Sequence, residues 1–398
     1  MTQPPSAEAL RARAERLTAE LPSGGAAIAR DVANVHWLTG LAGEPHQLYD
    51  MAPLRAVVGP SGEVRIVAPA SELAWIEEQR GLEGVIAHGK FFLAGEPSTA
   101  LREAISRSGT LLEALRQALG EVGAGARVVL DGGERTGLDP QLEGSFADSV
   151  LLSPQAWLRA RAGKDAGELA ALRAANAVAE AAIVAALGRA RPGCTEAELV
   201  GWLRETMVRA GARPMLASVG FGERGALVDF TASPQRRLAE GEPIRLDVGC
   251  TVSGYHADLA RTAVLGEPPA WLAEAHQALL AGEQAAIDGL RAGANGAELH
   301  ELAVQGTRAA GLAEYSRTHC GHGIGLAMYE PPLLAPGQSE PIEAGMTLCV
   351  ETPLYLIGKA GIQIEDAVVV TESGCERLGQ LPRQLLAAGP PARGGNDE

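Results

Sequence analysis

The stretch that decides the fold is residues 243–266, PIRLDVGCTVSGYHADLARTAVLG. Apolar residues fill both of its arms, and Val252 to Gly254 form a turn between them, which is the pattern of a β-hairpin. Folding the arms about that turn brings Asp247 and Asp258 onto facing strands, within one or two residue pairs of each other. The hairpin therefore predicts two neighbouring carboxylates inside a largely apolar sheet.

A second stretch repeats this arrangement in residues 346–370, MTLCVETPLYLIGKAGIQIEDAVVV. Folding it about the GKAG turn places Glu351 and Glu365 on facing strands. Unpaired buried anions are very costly, and like charges at close range cannot all stay ionised. A pair of divalent cations, bridged by the carboxylates and activating a water, is the simplest source of the missing positive charge.

A histidine in the glycine-rich segment THCGHGIGLAMYEPP, residues 318–332, completes the set. The glycines that flank His322 let the backbone pass closely and present the imidazole. Oxygen ligands with a single nitrogen suit Mn²⁺ best, and Co²⁺, Zn²⁺ and Fe²⁺ are alternatives. The predicted metal ligands are Asp247, Asp258, His322, Glu351 and Glu365.

An internal repeat surrounds the two hairpins. With an offset of 100 residues, the segment RPGCTEAELVGWLRETMVRAG (191–211) aligns with RAGANGAELHELAVQGTRAAG (291–311). Thr195 and Asn295 occupy matching positions and are expected to cap equivalent helices. Two helices and a hairpin, twice over, predict a pseudo-twofold α+β domain with both hairpins in one antiparallel sheet and the helices on one face.

The chain ahead of the repeat has a different pattern. Residues from about 25 to 155 alternate short β-branched runs with helical stretches, which indicates a smaller α/β domain. A long helix follows, with Asp165 as its expected N-cap and Glu168 three residues later. We therefore divide the chain into domains of residues 1–160 and 161–398.

Composition limits the class of partner. The formal net charge is -15, which repels phosphate backbones and anionic membranes and leaves small molecules or peptides as substrates. Charges interrupt the apolar runs before membrane length, and the amphipathic N-terminus has no secretory stretch, so we expect a cytoplasmic protein. The scattered cysteines favour buried thiols over disulfides or a zinc knuckle; they are Cys194, Cys250, Cys320, Cys349 and Cys375.

The metal-site blocks resemble those of the creatinase/prolidase, or pita-bread, metallopeptidases. Segments LDVGCTVSGYHADLARTAVLG, CGHGIGLAMYEPP, VETPLY and IQIEDAVVVTE occur in the order found in Xaa-Pro dipeptidases and aminopeptidases P. The resemblance extends upstream to LRARAGKDAGELAALRAANAVAEAA and GGAAIARDVANVHWLTGL. It implies a pita-bread catalytic domain after a creatinase-type N-terminal domain, a metal-bridging hydroxide as nucleophile, Glu351 as proton acceptor, and a homodimer.

Three positions depart from that family's usual residues. Tyr329 and Phe230 stand where the family usually has substrate-contacting histidines, and Gln363 stands where it usually has arginine. The metal ligands are therefore complete while the substrate-facing positions are altered. Tyr329 or His319 could donate a hydrogen bond to a carbonyl oxygen or a tetrahedral intermediate. His256 is expected to point away from the site, toward solvent or another subunit.

A polar, aromatic loop in the first domain is a further candidate. Its candidate residues are His46, Gln47, Tyr49, Asp50 and Arg55. In similar enzymes such loops close over the site, and the Tyr49 hydroxyl or the Arg55 guanidinium would bind the terminal carboxylate of a dipeptide. A solvated surface loop is the alternative.

The leading interpretation is a metal-dependent Xaa-Pro dipeptidase. Three alternatives stay open at this point: an aminopeptidase P acting on longer peptides, a dinuclear-metal hydrolase of a non-peptide amide or cyclic amidine, and a catalytically silent binding protein. The last is disfavoured because no metal ligand is missing.

Overall fold

A computed structural model of the chain describes residues 4–41, 54–132, 150–228 and 230–390. The described residues form two compact units, which divide between Arg161 and Ala162.

The N-terminal unit is a mixed sheet with helices. Its helices are α1 (Ala7–Ala19), α2 (Val32–Thr39), α3 (Leu73–Arg80), α4 (Thr99–Ser106), α5 (Leu111–Glu121) and α6 (Pro154–Ala162), which ends at the boundary. Its strands are β1 (Ala26–Ala29), β2 (Arg55–Val58), β3 (Val64–Pro69), β4 (Val85–His88), β5 (Val128–Leu130) and β6 (Val150–Leu152). They form one sheet in the order β4-β3-β2-β1-β5-β6. Helix α5 begins with a capping box between Thr110 and Glu113 and buries Leu115 against this sheet.

The C-terminal unit has four helices among its described residues. They are α7 (Ala166–Leu187), α8 (Glu196–Arg209), α9 (Ala270–Gly289) and α10 (Gly296–Ala309), with a short 3₁₀ turn at Gly222–Ala226. The strands are β7 (Arg213–Phe221), β8 (Pro243–Val252), β9 (Tyr255–Leu265), β10 (Gly321–Gly323), β11 (Glu330–Leu333), β12 (Thr347–Glu351), β13 (Leu354–Leu356), β14 (Ala360–Ile362), β15 (Glu365–Val370), β16 (Cys375–Arg377) and β17 (Leu386–Ala388).

The central sheet of this unit is symmetric about its middle. Its strand order is β11-β10-β12-β15-β9-β8-β7, with β16 and β17 attached beside β15 and β9. The two predicted hairpins are therefore neighbours in one antiparallel sheet, and they meet where Glu365 of β15 pairs with Ala260 of β9. Strands β13 and β14 form a small separate ribbon at the tip of the second hairpin.

The internal repeat is visible at the starts of matching helices. Thr195 caps α8 by accepting from the Glu198 amide, and Asn295 caps α10 by accepting from the Glu298 amide. Asp165 caps α7 in a capping box with Glu168, as the sequence predicts. The same kind of cap at the same point of each half places equivalent helices against equivalent hairpins.

Each half has its own apolar core between helices and sheet. In the first half, Ile183 of α7 and Leu203 of α8 pack with Leu246 and Val248 of β8. In the second half, residues of α9 and α10 pack with Leu348 and Val350 of β12 and with Val368 and Val370 of β15. We call this side of the sheet the helix face and the opposite side the site face.

Helix α7 is the one helix in the described ranges that is long and apolar enough to cross a membrane by length and composition. Three charged residues, Glu168, Arg173 and Glu180, interrupt its apolar sequence. Its buried stripe, which includes Ala175, Ala179 and Ile183, packs in the core of the first half. That position is the usual one for the core helix of a globular domain.

Candidate functional site

The four acids of the two hairpins lie on the same side of the sheet. Alternate residues of a strand point to opposite faces. Because Leu246 and Val248 pack on the helix face, Asp247 between them points to the site face. The same alternation sends Asp258, Glu351 and Glu365 to the site face, since their strand neighbours Leu259, Val350 and Ile364 are core residues.

Strand register brings these acids together around Ala260. Asp247 pairs with Ala260 across the first hairpin, and Asp258 pairs with Gly249, two residue pairs away. Glu351 pairs directly with Glu365 across the second hairpin. Because Glu365 also pairs with Ala260, the seam between the two hairpins joins both pairs of carboxylates.

His322 enters the same region from β10. Its Nδ1 lies 3.0 Å from the Gly323 carbonyl oxygen, and a carbonyl only accepts, so Nδ1 carries the proton and Nε2 is left with its lone pair. Nε2 lies 3.8 Å from Asp258 Oδ2 and 3.9 Å from Glu365 Oε1. Gly321 permits this approach, because a Cβ there would lie 2.1 Å from the Cys349 carbonyl oxygen.

Four side chains come close enough to share one metal ion. Asp258, His322, Cys349 and Glu365 each offer a ligand atom, and these atoms lie within 4.8 Å of one another. Cys349 was not among the predicted ligands, although its position two residues before Glu351 puts it on the site face. Burial raises the pKa of its thiol well above the usual value, and a soft sulfur suits a hard divalent cation such as Mn²⁺ less well than the neighbouring carboxylates do.

The site is short of positive charge. Burial raises the pKa of Asp247 to about 6, against the opposing effect of the Arg245 guanidinium and with the Glu351 charge acting in the same direction. Burial, followed by the charges of neighbouring carboxylates, also raises the pKa of Asp258 and of Glu365 well above the ordinary range. Burial lowers the pKa of His322, so the imidazole is neutral near pH 7.

These features fit divalent cations. Asp258 Oδ1 is buried and has no hydrogen-bond partner among the residues that the structure describes. Carboxylates that resist ionisation together, beside a neutral imidazole, are the groups that a cation would ionise and pair. Asp247 and Glu351 are candidates for the same centre, because their charges act on the pKa of Asp258.

Glu351 is held at both carboxylate oxygens. His319 Nε2 lies 3.1 Å from Glu351 Oε1, and Gln363 Nε2 lies 3.5 Å from Glu351 Oε2. Gln363 Nε2 also donates to Glu365 Oε2 at 3.3 Å. The amide of Gln363 thus bridges the two paired glutamates.

Tyr329 and Phe230 flank the site from loops. The Tyr329 ring stacks on His322 with centroids 3.6 Å apart, and 57% of the residue is exposed. The Phe230 ring lies 5.2 Å from the Arg224 guanidinium and 5.9 Å from that of Arg245. Tyr329 therefore covers the imidazole and faces solvent, whereas Phe230 contacts cationic side chains.

The expectation for His256 was wrong. Residues two apart in a strand share a face, so His256 points to the same side as Asp258. It is buried, and its Nδ1 lies 3.3 Å from the Gly325 carbonyl oxygen. Burial lowers its pKa.

Two predicted substrate residues belong to the N-terminal unit. Arg55 begins β2, and its NH1 donates to the Leu54 carbonyl oxygen at 2.9 Å. The other residues of the predicted loop, Tyr49 among them, lie outside the described residues.

Comparison with known proteins gives the relatives of the chain. The chain is 33% identical over 238 residues to "Probable dipeptidase PepE" of Mycobacterium bovis. The aligned segment covers 59% of this chain and 63% of that protein. It is 28% identical over 221 residues to an Xaa-Pro dipeptidase of Pyrococcus furiosus, covering 55% of this chain and 63% of that protein. The chain therefore spans less than two thirds of the length of these curated relatives.

A solved structure extends the similarity to almost the whole chain. Dipeptidase PepE from Mycobacterium ulcerans superposes with a TM-score of 0.75 and 28% identity, covering 96% of this chain and 98% of that one. The predicted α+β class with a C-terminal pita-bread domain is confirmed. Residues 170–372, about half of the chain, match the profile of metallopeptidase family M24, which confirms the resemblance predicted from the sequence. The chain belongs to metallopeptidase family M24.

Proposed function

We propose that this protein is an Xaa-Pro dipeptidase that uses two divalent cations, with Mn²⁺ as the preferred metal. The observation that carries the proposal is the convergence, on one face of the sheet, of two carboxylate pairs with the Nε2 atom of His322. The names of the relatives support the substrate class. The proposed ligands are Asp247, Asp258, His322, Glu351 and Glu365.

Cations bound there would polarise the scissile carbonyl and lower the pKa of a water molecule. We assign Glu351 as the residue that accepts a proton from this water. His319 at 3.1 Å and Gln363 at 3.5 Å hold its two oxygens in place, so the carboxylate keeps one orientation as it takes a proton and passes it to the leaving proline nitrogen.

We assign substrate binding to the positions that depart from the family's usual residues. The exposed Tyr329 ring, stacked on His322, is positioned to contact a bound peptide and to donate from its hydroxyl. Phe230 and Gln363 complete this group. Residues 1–160 are proposed as a creatinase-type domain that limits substrate length, with Tyr49 or Arg55 binding the terminal carboxylate.

Two related activities compete with this proposal. An aminopeptidase P would accept longer Xaa-Pro peptides with the same metal chemistry. A non-peptide amide or cyclic amidine is favoured by the replacement of the family's usual histidines and arginine by Phe230, Tyr329 and Gln363. We further propose a cytoplasmic homodimer.

Metal analysis combined with peptide hydrolysis tests the proposal. Metal-depleted protein is titrated with Mn²⁺, Co²⁺, Zn²⁺ and Fe²⁺ and assayed on an Xaa-Pro dipeptide, on an Xaa-Pro-Xaa tripeptide, and on a dipeptide without proline. We expect Mn²⁺-dependent cleavage of the Xaa-Pro dipeptide. Faster cleavage of the tripeptide would indicate an aminopeptidase, and metal binding without cleavage of any peptide would leave the amide or amidine alternative.

A further inference from the structure

The metal site has a buried guanidinium beside it that sequence reasoning did not identify. Arg245 lies on β8, two residues before Asp247 and therefore on the same face. Only 1% of the residue is exposed. Its NH1 lies 3.9 Å from Asp247 Oδ2, too far for a hydrogen bond but close enough for a strong effect in a buried site.

The guanidinium determines how Gln363 is oriented. NH1 of Arg245 donates to Gln363 Oε1 at 3.0 Å, and a guanidinium has no acceptor. The amide oxygen must therefore face Arg245, and Nε2 is left to face the carboxylates of Glu351 and Glu365. With the amide reversed, its oxygen would oppose two acids and its nitrogen would oppose a cation.

The NH2 group of Arg245 contacts a different part of the site. NH2 of Arg245 donates to Ser218 Oγ at 3.1 Å and to the Leu227 carbonyl oxygen at 3.0 Å. Leu227 precedes Phe230 in the loop that follows the 3₁₀ turn, and the Phe230 ring lies 5.9 Å from the same guanidinium. One side chain thus contacts both the amide that bridges the acids and the loop that carries a proposed substrate residue.

The aromatic ring of Tyr355 also contacts the Arg245 guanidinium. It lies 5.3 Å from the Arg245 guanidinium, and its hydroxyl is 3.4 Å from NH1. The planar fork of an arginine can make these contacts at once, whereas a lysine ammonium is a single point of charge on a flexible stem. The planar shape of the Arg245 guanidinium, in addition to its charge, is therefore needed to make these contacts.

We propose that Arg245 is the positioning residue of the metal centre, fixing the Gln363 amide and through it the Glu351 and Glu365 carboxylates. The proposal rests on the metal site of the proposed function. It predicts that Arg245 determines metal affinity, because groups that orient metal ligands typically change affinity by about 10- to 100-fold when they are altered.

The experiment measures Mn²⁺ binding to the metal-depleted full chain by calorimetry, without any peptide. Arg245→Lys keeps the charge and removes the fork, and we expect its Kd to rise about 10-fold or more. Arg224→Lys is the matched control, since that guanidinium also lies near the Phe230 ring but pairs with Glu196 at 3.0 Å. It should bind Mn²⁺ as the parent protein does.

A double-mutant cycle tests whether Arg245 acts through Gln363. If it does, Gln363→Met alone should weaken Mn²⁺ binding, and adding Arg245→Lys should weaken it little further. Effects that add in full would mean that Arg245 acts independently, and an unchanged Kd in Arg245→Lys would mean that it does not act at all. Either result overturns the proposal.

The readouts separate this inference from the proposed function. If the parent protein binds no Mn²⁺, the metal centre itself is refuted. If the parent and Arg245→Lys bind equally well, only the role of Arg245 is refuted. In a variant that binds metal, we expect kcat on the dipeptide to fall at saturating Mn²⁺, because Glu351 loses its fixed orientation, and thermal unfolding of each metal-free variant shows whether the fold is retained.

Discussion

Glu365 and Asp366 are neighbours in sequence, yet they meet opposite electrostatic surroundings. Glu365 points to the site face, where Nε2 of His322, on an imidazole that is neutral near pH 7, lies 3.9 Å from its Oε1. Asp366 points to the helix face, where Arg261 and Arg377 lie 2.8 and 2.9 Å from its Oδ1. On this strand, the acid on the helix face therefore has two arginine partners at hydrogen-bond distance, whereas the acid on the site face has a neutral imidazole beside it.

The helix face places arginine side chains beside its acids. Arg383 lies 3.2 Å from Glu283 Oε2 and 3.9 Å from Asp366 Oδ2, and the buried Arg261 also donates to the Glu365 and Ala260 carbonyl oxygens. Among the residues that the structure describes, both faces leave some buried carboxylate oxygens without hydrogen bonds, namely Asp258 Oδ1, Glu283 Oε1 and Asp366 Oδ2. Guanidinium groups at hydrogen-bond distance from the acids, in contrast to the Arg245 guanidinium 3.9 Å from Asp247, therefore distinguish the structural cluster from the cation site more than an unpartnered oxygen does.

The largest difference between the faces is expected in catalysis. Glu351→Gln on the site face should reduce kcat on an Xaa-Pro dipeptide by about 10²- to 10⁴-fold, because an amide cannot accept the proton. Glu283→Gln, the same change on the helix face, should leave kcat nearly unchanged. Steady-state kinetics with circular dichroism checks both, and retained hydrolysis by Glu351→Gln would remove its assigned role.

Two buried histidines, one on each face, extend the comparison to metal binding. His322→Ala should weaken Mn²⁺ binding by about 100-fold or more, since it removes the nitrogen ligand. His276, on α9, is also buried, and burial lowers its pKa to about 4. His276→Ala should keep Mn²⁺ affinity while lowering the melting temperature through the cavity it leaves. Equal losses of affinity in the two variants would contradict the assignment.

Much of this contrast follows from local rules. Two turns, the alternation of strand residues and the cost of buried acids are enough to predict that Asp247, Asp258, Glu351 and Glu365 face one another, and the repeat predicts that the hairpins share a sheet. The same alternation, properly applied, also predicts that His256 and Cys349 point to the site face.

Contacts between strands that are not sequence neighbours were not predictable in this way. Arg245 reaches Gln363 from β8 past β9, and this contact depends on the order and register of the whole sheet. The stacking of Tyr329 on His322 depends on how a loop returns over β10. Such contacts are set by tertiary packing, and single-strand periodicity carries no signal for them.

The pH dependence of metal binding should reveal the missing charge on the site face. Burial raises the pKa of Asp247 to about 6, and it raises the pKa of Asp258 and of Glu365 well above the usual values. A cation must displace these protons, so affinity falls as the pH falls. We expect calorimetry at pH 5 to give a Kd for Mn²⁺ at least about 10-fold weaker than at pH 7.5, and a constant Kd would mean that the acids are already ionised.

On the helix face, pH should change stability without changing metal binding. Burial raises the pKa of Glu283 from 4.5 to about 8, against the opposing charge of Arg383. A carboxyl group with a raised pKa in the folded state stabilises the fold fully below its unfolded pKa, and this contribution is lost as the pH rises toward 8. Relative to Glu283→Gln, the parent protein should therefore lose up to about 1.4 kcal/mol of unfolding free energy per pH unit between pH 5 and 8. Urea denaturation of both proteins across this range measures the difference, and parallel curves would refute it.

The smallest effect is expected at Cys349, which lies among the site-face ligands but behaves chemically like a core residue. Its thiol donates to the Asp258 carbonyl oxygen at 3.7 Å, and its burial raises the thiol pKa. A cation would have to ionise this thiol in competition with carboxylates that are better ligands for a hard metal. Cys349→Ala should therefore change Mn²⁺ affinity by less than about 3-fold, and Co²⁺-loaded parent protein should lack the intense near-ultraviolet absorption of a thiolate ligand. Such a band, lost in Cys349→Ala and kept in Cys320→Ala, would make sulfur a ligand and shift the expected metal toward Zn²⁺ or Co²⁺, because soft thiolates favour these ions over Mn²⁺.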